Sequence, residues 1–172
     1  MTGFFKQAAL PAMLFSCVGM TGCYAQASDT ENKPPQAQSQ QENGLSEAGL
    51  RLVPLTISSA GKSHAFTVEL AGTKAEQSQG LMFRTELAPD KGMIFPFEGE
   101  RMASFWMKNT VIPLDIIFVR SDGTIESIAA NTTPYSLDPV ESGEPVAAVL
   151  ELAGGRTAEL AIGPGDKVKW QQ

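Results

Sequence analysis

Leu114-Asp115-Ile116-Ile117-Phe118-Val119-Arg120, then Ser121-Asp122-Gly123, then Thr124-Ile125-Glu126-Ser127-Ile128-Ala129, is the stretch that decides the fold. The first run is dense in β-branched and aromatic residues and starts after Pro113, so it reads as a strand. Asp122-Gly123 is a strong hairpin signal, because both residues accept the positive φ that tight hairpin turns require. The second run returns as the partner strand. A chain with this hairpin at its centre and short apolar runs on both sides points to an all-β domain.

Further strands read outward from the hairpin. Leu52–Ile57 and His64–Leu70 flank the turn cluster Ser58-Ser59-Ala60-Gly61, and Phe66, Val68 and Leu70 alternate. Gly92–Phe97, Ala103–Lys108 and Ala147–Leu152 read as strands, and Lys167–Trp170 as a final edge strand. Two short helices are predicted. Thr73-Lys74-Ala75-Glu76 is a capping box opening a helix over Lys74–Gln79, with Gly80 as its stop. Arg156–Ile162 provides one or two further turns before Gly163-Pro164-Gly165. No crossover helix of ten or more residues is visible, which argues against a doubly wound parallel sheet. The expectation is a mainly β fold: a β-sandwich or jelly roll, or a partly closed barrel, with one or two short helices.

The N-terminus has a different character. Lys6 is the only charge before Asp29, and an apolar stretch over 8–19 is too short to span a membrane. Residues 1–27 read as a signal peptide with two possible exits. Ala25-Gln26-Ala27 permits cleavage before Ser28. Met20-Thr21-Gly22-Cys23 resembles a lipobox and would leave Cys23 as a lipidated N-terminus. Residues 28–50 are rich in Gln, Ser, Pro and Glu and lack aromatics, so they read as a disordered tether spanning about 25–30 Å. The folded domain is expected over 51–170. The protein would then be exported, either free in the periplasm or held to a membrane by a lipid anchor alone.

Composition narrows the function. The 172 residues carry a formal net charge of −6, and cleavage after 27 would remove only Lys6 and leave about −7. Nucleic acid is not an expected partner for such a chain, since phosphate binding takes a basic surface. Cys17 and Cys23 are the only cysteines and both lie in the export segment, so the domain is expected to have no disulfide, thiol nucleophile or zinc–thiolate site. His64 is the sole histidine and has no serine elbow nearby, so no triad is predicted. Met82, Met93, Met102 and Met107 lie among aromatics without close Met–Met spacing, which fits core filling better than a copper site. No cofactor and no metal is expected.

Polar residues inside apolar runs are the candidate site. Phe105-Trp106-Met107-Lys108-Asn109-Thr110-Val111-Ile112-Pro113-Leu114-Asp115 places Trp106, Lys108, Asn109, Thr110 and Asp115 in a short span. They form either an ordered turn or the rim of a pocket. Arg84 could join them, as could Glu151, an acid between Leu150 and Leu152. If that strand is buried on both faces, Glu151 needs a cation, and Arg84 or Lys108 would serve.

These same segments closely resemble the DUF192 family, also called UPF0127. The resemblance rests on Gly80-Leu81-Met82-Phe83-Arg84, Gly92-Met93-Ile94-Phe95-Pro96-Phe97, Phe105 to Thr110, Ile112 to Phe118, Val149-Leu150-Glu151-Leu152 and Gly163 to Val168, in that order. It covers about 52–168. Ala153-Gly154-Gly155 departs from the turn many members carry there. The resemblance implies a jelly-roll or sandwich-type β fold and no particular activity. Three functions stay open: a non-catalytic periplasmic module for a small ligand, a hydrolase- or lyase-type enzyme using Asp115 and Glu151, and a scaffold for an envelope protein.

Overall fold

A computed structural model describes residues 44–171. The stretch read as a signal peptide, with Cys23, and the part of the expected tether up to residue 43 lie outside the described residues. The remainder of the stretch read as tether, 44–50, is an ordered turn. The Ser46 amide donates to the Leu50 carbonyl, the Leu52 amide donates to that of Gly44, and Leu45 bridges Arg51.

Nine strands and two helices follow: β1 (Leu52–Ser59), β2 (Lys62–Leu70), α1 (Lys74–Gln79), β3 (Lys91–Arg101), β4 (Ser104–Phe105), β5 (Leu114–Val119), β6 (Ile125–Ala129), β7 (Val140–Glu141), β8 (Val146–Ala153), α2 (Arg156–Glu159) and β9 (Lys167–Trp170). Seven strands form one sheet in the order β6-β5-β8-β3-β2-β1-β9, and β4 pairs with β7 in a small second sheet. The large sheet curls until its ends meet. The Ile125 amide donates to the Asp166 carbonyl and the Val168 amide to that of Gly123, both at 2.8 Å. Lys167 Nζ adds an ion pair to Asp122 at 2.9 Å. Gly123 takes φ +80° at this junction, a conformation that costs a side-chain-bearing residue more. Of the architectures open to the sequence, the partly closed barrel is the one formed.

Alternation divides the core in two. Leu55, Ile57, Phe66, Val68, Ile117, Val119, Leu150 and Leu152 fill the inside of the curl. Met93, Phe95, Leu114, Ile116, Phe118 and Val149 face outward and are covered by Leu81, Ala103 and Met107. β5 is therefore buried along its whole length, as a strand covered on both faces must be.

Further features differ from the sequence reading. β2 and β3 pair in parallel, with the short helix α1 inside the crossover. The run 103–108 makes a strand only at Ser104–Phe105. Beyond it the chain turns, because Asn109 adopts φ +58° and the Met107 amide donates to the Ser136 carbonyl. β3 continues past Phe97 to Arg101 through an irregularity in its pairing with β8.

Candidate functional site

The outer face of the sheet carries a pocket of about 770 Å³. Register builds its base. Glu151 on β8 lies opposite Met93 on β3 and Ile116 on β5, so its side chain points to the outer face with theirs. Phe95 and Phe97 follow on the same face of β3. Phe105 stands edge-on to Phe95, with ring centroids 5.2 Å apart. Trp106 and Thr110 complete that wall, and α1 with Leu81 forms the other. The Thr73 capping box forms as read, with the Thr73 amide on Glu76 and the Glu76 amide on Thr73. Gln77 seats the helix on the sheet: its Nε2 donates to the Ala71 carbonyl at 3.1 Å and to that of Pro96 at 2.9 Å.

Glu151 is 6% exposed, and among the described residues its carboxyl has no hydrogen-bond or ion-pair partner. Burial alone pushes its pKa up to about 8, because a low-dielectric surrounding disfavours the charged carboxylate. Among the described residues it is the one strongly perturbed carboxyl that lines the pocket. Lys74 and Arg101 line the mouth, both exposed. The Arg101 guanidinium lies 3.8 Å over the Phe97 ring centroid, a cation–π arrangement that holds it at the entrance.

The sequence-predicted residues separate into groups. Trp106, Thr110 and Glu151 line the pocket. Lys108 and Asn109 do not. Lys108 Nζ sits 5.1 Å from the Trp106 ring centroid on the exposed side, and Asn109 Nδ2 donates to the Met82 sulfur at 3.8 Å. Arg84 is held by a buried partner the sequence reading missed: its Nη2 reaches Glu69 Oε1 at 3.0 Å and Oε2 at 2.8 Å. The expected Glu151–Arg84 or Glu151–Lys108 pair is not formed. Met93 stands between Glu69 and Glu151 in the sheet register.

Asp115 is also not a pocket group. Its Oδ1 accepts from the Asn131 amide at 2.7 Å and the Gly155 amide at 2.8 Å, and its Oδ2 accepts from the Thr157 amide and hydroxyl, each at 2.7 Å. Asp115 pairs with Leu152 and Ile116 with Glu151, so the two acids point to opposite faces. The Asp115/Glu151 acid–base pair does not assemble.

Reading missed Phe97, Arg101, Lys74 and Gln77. The strand alternation Met93, Phe95, Phe97 was a usable signal for the first. Arg101 depends on the irregularity after Pro96 and had no local signal. Among the described residues, no group of three or more His, Cys, Asp or Glu side chains is placed to hold a metal ion.

A curled β domain with an aromatic-walled outer pocket over a lone acid is the class this geometry defines. The family model DUF192, described as "Uncharacterized ACR, COG1430", matches residues 55–170, and the chain belongs to that family. A crystal structure of a protein of unknown function from Novosphingobium aromaticivorans is 53% identical, with a TM-score of 0.70 over 72% of this chain and 89% of that one. A Sinorhizobium meliloti protein put forward as a transcription regulator is 43% identical, with a TM-score of 0.69 over 70% and 95%. No curated protein matches the chain.

Proposed function

We propose that this domain is a non-catalytic binding module for a small ligand, exported to the periplasm and reaching from its tether. The observation that carries the reading is Glu151, a buried carboxyl that no donor or cation among the described residues engages, at the base of an aromatic-walled pocket. A buried polar group is normally satisfied. One that opens into a cavity is satisfied by what enters, and a concave apolar site with a few convergent polar groups is the usual form of a ligand site. Catalysis by two carboxylates loses support because Asp115 is engaged on the other face. The regulator name of the S. meliloti relative is not carried over, since a net charge of −6 opposes a polyanionic partner.

Native mass spectrometry of the full chain, expressed with export and purified gently, tests the reading. A stoichiometric added mass is expected, lost in Trp106→Ala. That side chain is 51% exposed, so the fold should survive its removal. A bare chain mass together with no retention of any member of a metabolite extract would overturn the proposal.

A further inference from the structure

The pocket is electrically dipolar. Among the described residues its base holds one acid and no cation, since Arg84 is engaged by Glu69. Its mouth holds Lys74 from α1 and Arg101 from β3, opposed among the described lining residues only by Glu98, which is exposed. The chemistry missing at the base is a cation that can follow Glu151 out of water. The chemistry favoured at the mouth is an anion.

The separation of the two ends limits the ligand's length. The strand from Met93, beside Glu151, to Phe97, beneath the Arg101 guanidinium, covers about 13 Å at ~3.3 Å per residue. Hydrogen bonds of about 2.9 Å at each end of that span leave about 7 Å between the charged ends of the ligand. An extended tripeptide spans at most ~10–11 Å. An α-amino acid is too short to meet both ends, and a single metal ion or small anion can satisfy only one. The walls between the ends are Phe95, Phe105 and Trp106, suited to apolar side chains.

We infer that the pocket takes a short unblocked peptide, its terminal ammonium on the Glu151 carboxylate and its terminal carboxylate at Arg101. This deepens the reading of the pocket as a ligand site and rests on it. Binding as an ion pair needs Glu151 ionised and the ligand amine protonated. Burial sets the first near pH 8, and a peptide α-amino group titrates at about 7.7–8.0. Affinity should therefore rise roughly tenfold from pH 6 to 7, peak near pH 8 and fall above it. The charged groups around Glu151 are Lys74, Glu98, Arg101 and the Arg84–Glu69 pair. His64 lies on the inner face, opposite Ile57.

The test uses the full chain and three pools of random tripeptides: unblocked, N-acetylated and C-amidated, with retention read by native mass spectrometry. Unblocked peptides should be retained at least tenfold better than acetylated ones. The amidated pool should be weakened, and its difference from the unblocked pool should vanish in Arg101→Ala. Glu151→Gln should abolish the rise with pH. Equal retention of acetylated and unblocked pools would overturn the inference, as would an affinity that is flat below pH 8 and falls above it. The first comparison needs no variant. If no pool binds but the purified chain carries a mass that Trp106→Ala releases, the ligand class is wrong and the pocket reading stands. If neither is seen, both fall.

Discussion

Asp115 Oδ2 accepts both the backbone amide and the hydroxyl of Thr157, so β5 holds the start of α2 through one carboxylate oxygen. The other oxygen ties Gly155 and Asn131 to the same strand. Asp115 is fully buried and Thr157 is 2% exposed. Removing the carboxylate strands these donors where water has little access. Asp115→Ala should cost about 3–4 kcal/mol, read as a lower urea midpoint. Asp115→Asn should cost less, because an amide oxygen still accepts while its NH₂ faces donors. Neither variant should change which ligand the folded protein retains.

Arg84 and Glu69 form a second buried arrangement. The Glu69 side chain is 11% exposed and that of Arg84 is 31% exposed. Losing the arginine leaves the less accessible charge unpaired, so Arg84→Ala should destabilise by about 2 kcal/mol, discounted for the exposed partner. Glu69→Gln should cost less, since the guanidinium can turn to water. A double-mutant cycle should return a coupling of about 1 kcal/mol. Pocket occupancy in folded Arg84→Ala should match wild type.

Local chemistry made the hairpin over 114–129 and the Thr73–Glu76 capping box readable, because each is specified within a few residues. The parallel β2–β3 pair and the truncation of β4 were not readable. The first is set by pairing across the α1 crossover and the second by the distant Ser136 carbonyl, and the two-residue β7 has no periodicity to detect. The site shows the same limit more sharply. Asp115 and Glu151 carry one signature, a single acid in an apolar strand. One anchors α2 and the other waits at the base of a pocket, and only the pairing register across β5 and β8 separates them. Arg84 looked like a binding cation for a related reason: its partner Glu69 sits on β2, and sequence does not show how β2 aligns with β3.

Gly92 tests the tightness of the β3–β8 contact. A Cβ there would collide with the Glu151 carbonyl and come within 2.7 Å of Leu152 Cδ2. The backbone oxygen cannot swing aside without breaking the ladder at the base of the pocket. Gly92→Ala should cost about 2–3 kcal/mol, as overpacking does, and should reduce ligand retention more than Asp115→Asn at equal stability. Thermal melts paired with native mass spectra of the folded fraction would show it.

Glu151 makes the ligand-free fold sensitive to alkali. Its pKa is raised from an ordinary carboxylate value near 4.5 to about 8. Between those values the unfolded chain releases a proton that the folded chain keeps, so raising the pH favours unfolding. The stabilising contribution is complete below about pH 4.5, declines as pH rises and is gone once pH passes 8. The slope cannot exceed about 1.4 kcal/mol per pH unit from this one group. Glu151→Gln keeps the shape and removes the proton. It should be close to wild type in stability at pH 5, more stable at pH 8, and should flatten the decline between them. Urea titrations at pH 5, 6.5 and 8 decide it. Parallel declines in both proteins would mean that Glu151 is ionised in the fold and has a partner.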